Sequence, residues 1–240
     1  MKIQYTIRII IINLLFVNSC KPKNKTMPPA NQATIVDFNN IKQIELKGDA
    51  KVVRGCLRLN GANSSAVGAA YYKSTMSEYF ESEFTFKISE LGNGGGDGFT
   101  FLLSKNIPEL SIGEGIGYQG TKASLAVEFD TWQNTNLSDP NDNHISIHTN
   151  GQDANNADEK YSIAISDKIT ILSDGNSHIV KVVYKNKVIE VFLDGKSSVR
   201  AFIDLNSKLG LNGPFYIGFT AATGGSYEIH DICSWTFKNF

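Results

Sequence analysis

In the run LAVEFDTWQNTNLSDPNDNHISIH, residues 125–148, polar and aromatic side chains recur at intervals of two: Glu128, Asp130, Trp132 and Asn134. Residues two apart on a β-strand project from one face, so these four point one way while Phe129 and Thr131 point the other. Two aligned carboxylates with no basic neighbour repel each other, and burying them is costly unless a cation or a proton neutralises them. The following loop adds Asp139, fixed ahead of Pro140, and His144 opens the next apolar alternation. A hard ion such as Ca²⁺ takes about six to eight oxygens from carboxylates, amides and backbone carbonyls together. Asp130, the Trp132 carbonyl, Asn134 and Asp139 offer that set. A transition ion such as Mn²⁺ accepts imidazole among carboxylates. Glu128, Asp130, Asp139 and His144 offer that one, with Asp130 and Asp139 bridging the two ions. Three carboxylates against four positive charges leave such a pair near neutral. The loop taken alone reads equally as a solvated Asn/Asp-rich turn at a strand edge.

The elements that must position these residues are strands. The chain has 240 residues, 41% hydrophobic and 20% charged, which is ample for one buried core. Short alternating segments recur between Gly, Asn, Asp and Ser clusters, with no helical period of useful length. In YFESEFTFKI, Phe80, Phe84, Phe86 and Ile88 share one face and Glu81 and Glu83 the other. HIVKVVYKNKVIEVFLDGK reads as a hairpin with Lys185-Asn186 between β-branched runs and Asp194-Gly195 at the next turn. Further strands are expected over 97–103, 124–132, 143–149, 199–204, 214–221 and 229–238. An all-β chain of two stacked antiparallel sheets in a jelly-roll arrangement manages that many edges. A single domain is expected over 33–240. The formal net charge of −1 gives no electrostatic footprint for nucleic acid, which is excluded as a partner.

The full spacing E-x-D-x-W-x-N-x4-D-x4-H resembles the metal-binding signature of the legume (L-type) lectins, position for position. The resemblance extends over about residues 33–240. GCLRLNGANSSAVGAAYYKSTM is similar to the family's early strand and its G-x-A-x-Y segment, and GFTAATGGSYEIHDICSWTF to its final strands. It implies a concanavalin A-like sandwich, bound Ca²⁺ and Mn²⁺ or another transition ion, and a shallow sugar site. Trp132 stands where the family has Tyr or Phe, but that position gives calcium a backbone oxygen, which the exchange leaves in place. GDGFTFLLS, from Gly96, resembles the family's ADGLAFFLAP, in which the aspartate follows a cis peptide bond and accepts hydrogen bonds from sugar hydroxyls. The matching residue is Asp97, with Gly96 in place of the common Ala. Asn134 would donate its amide to the same sugar, and Trp132 would offer its ring to the apolar face. In GEGIGY, Gly115 matches the glycine whose N–H completes the site, with Gly113 as the alternative alignment. The loop TGGSYE, from Thr223, would select the sugar, with Gly225 and Ser226 as contacts. Calcium would act by holding Asn134 and the loop beside Asp97.

Three functions remain open on these residues: a glycan-binding lectin, an adhesive or structural domain that kept fold and metals, and a glycoside hydrolase. A hydrolase of this architecture shows a third acid that the Trp132-Gln133 segment lacks, so no enzyme is expected. At the N-terminus, Lys2 and Arg8 precede an apolar run from Ile9 to Val17, interrupted only by Asn13, too short to span a bilayer and typical of a signal peptide. Ser19-Cys20 resembles the lipobox of bacterial lipoproteins, which implies lipidation at Cys20 and anchorage at a bacterial envelope; ordinary signal cleavage nearby is the alternative. Residues 20–32, rich in Pro, Lys and Asn, are expected to form a tether. Export permits Cys56 and Cys233 to pair, and two free buried thiols are the other reading. Association into a homo-oligomer through a flat back sheet, as in relatives, is open. With the metal set already full, His148 is expected at the surface or core edge. His178 and His230 are read as structural or solvated and Trp235 as core.

Overall fold

The computed structural model describes residues 34–35, 38, 41–75 and 79–240. The leader, Cys20 and the tether lie outside the described residues. Strands dominate: β1 (Thr34–Ile35), β2 (Glu45–Gly48), β3 (Lys51–Val53), β4 (Cys56–Asn60), β5 (Val67–Thr75), β6 (Tyr79–Gly92), β7 (Gly98–Ser104), β8 (Ser124–Asp130), β9 (His144–His148), β10 (Ser162–Ile165), β11 (Ser177–Lys185), β12 (Val188–Leu193), β13 (Lys196–Phe202), β14 (Pro214–Ala222) and β15 (Tyr227–Asn239). They form two antiparallel sheets. One runs β13-β12-β11-β6-β15-β4-β3, with β1 against β15, and the other runs β10-β9-β8-β7-β14-β5-β2.

Alternation decides which faces meet. Phe80, Phe84, Phe86 and Ile88 of β6 are buried, with Glu81 and Glu83 on the other face, where Glu81 pairs with Lys181 at 3.0 Å. Across the interface stand Phe99, Phe101, Phe129 and Phe219, and Phe99 stacks on Phe129 with centroids 4.5 Å apart. Stacked and edge-on rings at such distances add to the area they bury. Trp235 is core, its indole N–H donating to Ser82 at 3.0 Å. Cys56 and Cys233 face each other across β4 and β15 as a disulfide.

Two local expectations need adjusting. The β11–β12 turn centres on Asn186 and Lys187, both at positive φ, one residue beyond Lys185-Asn186. A short helix, α1 (Leu205–Leu209), lies beyond β13, capped by Asp204 accepting from the Ser207 N–H and closed by left-handed Gly210.

The site is built on the second sheet. Every residue of β8 and β9 is buried, so the outward face of these central strands is roofed by loops rather than wet.

Candidate functional site

The register of β8 and β9 brings the acidic face together: Asp130 lies opposite His144 and Glu128 opposite Ser146. The loop 131–143 then turns back, with the Trp132 N–H donating to Asp130 at 2.8 Å and the Asn134 N–H donating to the Asp139 carboxylate. Ligand atoms of Glu128, Asp130 and His144 lie within 4.8 Å of one another. His144 donates from Nδ1 to the Asn141 carbonyl at 3.1 Å, which fixes the ring and leaves Nε2 facing the group.

The electrostatics are those of like charges buried together. Burial, then the neighbouring Glu128 and Asp139, push the Asp130 carboxyl well above the ordinary aspartate value. Burial raises Glu128 as well, against the opposing pull of His148 and the Tyr118 hydroxyl. Burial lifts Asp139 to about 6 despite the Asn134 N–H. One oxygen of Glu128, Oε2, is buried without a hydrogen-bond partner. Leaving such an atom unpaired is expensive unless an ion takes it. The groups Glu128, Asp130 and His144, and Asp139, His144 and Glu159, bring together donor types that suit a transition ion, and the oxygens of Asp130, the Trp132 carbonyl, Asn134 and Asp139 are of the type Ca²⁺ takes.

Asp97 sits beside this centre. The Gly96–Asp97 peptide is cis, and the Asp97 backbone bonds Ala222 and Thr131 at 3.1 Å on either side. Its carboxyl is raised to about 6 by burial, and Oδ2 has no hydrogen-bond partner. A Cβ at Gly224 would lie 3.1 Å from that oxygen and 3.6 Å from the Gly113 Cα, so two glycine backbones flank the carboxylate. Trp132 lies over the turn at Gly94 and Gly96 and remains 37% exposed. Asp97, Trp132 and the loop that carries Asn134 thus converge at one rim.

The other sugar-site candidates are placed differently. Gly115 packs against Ser111 and Gln119, its N–H directed to the Ile112 carbonyl at 3.4 Å, whereas Gly113 borders Gly224. The Gly225 carbonyl accepts from Ser64 and Asn93, and the Ser226 hydroxyl donates to the Asn93 carbonyl at 2.7 Å. Gly225 and Ser226 therefore pin the loop, and Gly224 meets Asp97.

Three features lay beyond the sequence reading. Glu159 enters from a short 3₁₀ turn and meets His144 Nε2 at 3.0 Å, its pKa brought to about 2 by the two histidines against the opposing effect of burial. His148, expected at the surface or core edge, is fully buried between Glu128 and Glu159 because the roofing loop closes over β9. Beneath Asp97, buried Glu228 accepts from Thr131 and meets His230, which reaches Asn60 at 2.6 Å. Burial raises Glu228, but the His230 and Thr131 hydrogen bonds outweigh it and its pKa lies below the usual value. His230 is thus structural, and His178 is held between Asp174 and Asp194. No sequence period marks Glu159, since it acts from outside any strand.

Residues 31–240 match the family described as legume lectin domain. The chain belongs to the legume lectin family. Among the legume lectin relatives, a probable L-type lectin-domain containing receptor kinase (S.7) of Arabidopsis thaliana is 29% identical over 236 residues, covering 82% of this chain and 33% of the kinase. Agglutinin-2 of Cladrastis kentukea is 29% identical over 230 residues, covering 82% of this chain and 77% of the agglutinin. The structure of the Bauhinia forficata lectin in complex with GalNAc superposes with a TM-score of 0.73 at 25% identity, covering 86% of this chain and 97% of that one. The chain spans about a third of the length of the receptor kinases it matches. The legume lectin match takes in every metal and sugar candidate described above.

Proposed function

We propose that this legume lectin domain is a non-catalytic, metal-dependent glycan-binding protein, exported and held at a bacterial envelope by a lipid on Cys20. The observation that carries the sugar reading is Asp97: a buried carboxylate with a free acceptor oxygen, flanked by glycine backbones and an exposed tryptophan. Charged acceptors of this kind form the stronger hydrogen bonds, about 1.5–3 kcal/mol each. The Trp132 ring supplies the apolar face that a pyranose needs. Asp130, Asp139, Asn134 and the Trp132 carbonyl would hold calcium, whose charge would neutralise the two carboxylates. The chain's own part is to aim Asp97 through Thr131, Ala222 and Gly224. The GalNAc complex of the Bauhinia lectin supports sugar as the ligand class. A hydrolase reading fares worse, because Glu128 and Asp130 lie under the loops at 1% and 2% exposure, where no glycosidic bond can reach them. Envelope anchorage rests on Ser19-Cys20 following the apolar run.

A glycan array in calcium, followed by two variants, tests the proposal. Asp97→Ala should lose binding to the best glycan, a cost of about 2–4 kcal/mol, with metal content near normal. Asp139→Ala should lose both metal and glycan. Undiminished binding by Asp97→Ala would move the adhesive or structural reading ahead.

A further inference from the structure

Glu128 of the signature forms a second group with His148 and Glu159, their ligand atoms all within 4.8 Å of one another. The orientation of His148 is the first observation. Its Nδ1 lies 3.1 Å from the Asn156 carbonyl, which can only accept, so that nitrogen carries the proton. In the neutral ring that a metal requires, Nε2 then presents its lone pair to the interior. Nδ1–H on a backbone carbonyl with Nε2 free is the arrangement that holds metal-ligating imidazoles.

The distances are the second observation. His148 Nε2 stands 3.7 Å from Glu128 Oε1 and 3.7 Å from Glu159 Oε2. Those separations are too long for hydrogen bonds. Two ligands held at about 2.0–2.2 Å on one tetrahedral ion stand roughly 3.3–3.6 Å apart, so the three atoms need draw in by only a few tenths of an ångström. The Ser146 hydroxyl, 2.8 Å from Nε2, is the group that would swing aside.

The third observation is Glu159 itself. Its side chain is 6% exposed, Oε1 meets His144 at 3.0 Å, and Oε2, the oxygen toward His148, has no hydrogen-bond partner. A buried carboxylate oxygen facing an imidazole lone pair is repulsive without a positive charge between them.

We propose that Glu128, His148 and Glu159 bind a third divalent ion, of the Zn²⁺ or Co²⁺ class that suits one imidazole and two carboxylates. Glu128 and Glu159 then each bridge toward the ion beside His144. Four carboxylates facing six positive charges leave a surplus that favours a solvent-derived hydroxide as the fourth ligand. The inference shares Glu128 with the signature metals and is independent of sugar binding.

Titration of calcium-loaded, otherwise metal-stripped protein with Co²⁺, followed by visible absorption and elemental analysis, tests it. Wild type should take up two Co²⁺ per chain, and His148→Gln and Glu159→Gln one each, with calcium retained. Glu159→Gln preserves volume and carries the test if His148→Gln does not fold. His144→Ala should lose the other Co²⁺ and keep the His148-dependent one. A single Co²⁺ in wild type, or two in both His148→Gln and Glu159→Gln, overturns the third site while leaving the signature pair standing. No uptake of calcium or cobalt at all would overturn both.

Discussion

Asp97 can serve as an acceptor because the residues beside it are small. A Cβ at Gly224 would lie 3.1 Å from Asp97 Oδ2, in the space a sugar hydroxyl would use under the proposed function. Gly224 has no positive φ that would strain a side chain, so the substitution tests space alone. Gly224→Ala should weaken glycan binding by more than about tenfold, roughly 1.4 kcal/mol, with metal content and melting temperature near wild type. Wild-type affinity in calorimetric titration would place the sugar elsewhere. At this scale the sequence is legible where chemistry and spacing coincide, as at Glu128, Asp130 and His144, which the β8–β9 register brings together. It is not legible where one side chain arrives from a distant turn. Glu159 lies 15 positions beyond His144 in a 3₁₀ turn with no period to announce it, and Glu228, although on β15 two residues from His230, meets Thr131 97 positions away only through the fold.

At the scale of elements, strands with one apolar face could be read directly, because register errors would turn Phe80, Phe84 and Phe86 to water. β6, β8, β9, β14 and β15 all fall within a few residues of their expected spans. The fully buried strands β8 and β9 carry carboxylates and imidazoles outward under a roof of loops, which alternation alone cannot reveal. The cysteines were ambiguous for a similar reason: 177 residues separate Cys56 from Cys233, and only the pairing of β4 with β15 juxtaposes them. This disulfide ties a short strand near the start of the described chain to the final one across a long loop. Cys56→Ala/Cys233→Ala should cost about 2–5 kcal/mol in denaturant unfolding, with the fold retained. A double variant as stable as wild type would show that the unfolded chain gains nothing from the link.

At the scale of the whole molecule, the site is a concentration of buried charge that the metal-free fold tolerates badly, and pH reports it. Asp97 and Asp139 have folded values near 6 against an ordinary 3.8, and Glu128 and Asp130 are also raised, chiefly by burial. Between about pH 4 and 6 the folded chain therefore holds protons that the unfolded chain has released, and stability falls as pH rises. His144 and His148 act in the same direction. Burial opposes it, but the surrounding carboxylates hold both above 6.5, so their contribution is also lost as pH rises through their folded values. Glu159, lowered to about 2 from 4.5, contributes stability that is lost only as pH falls below about 4.5, outside the range from pH 5 to 7. The chelated protein should accordingly melt at a higher temperature at pH 5 than at pH 7. Under the proposed metal binding, ions would reverse the sign, because their ligands must shed protons and the stabilisation by metal shrinks as protons compete. Melting curves with and without excess calcium and manganese should stand far apart at pH 7.5 and converge toward pH 5. Parallel curves across that range would mean that these carboxylates do not hold the ions.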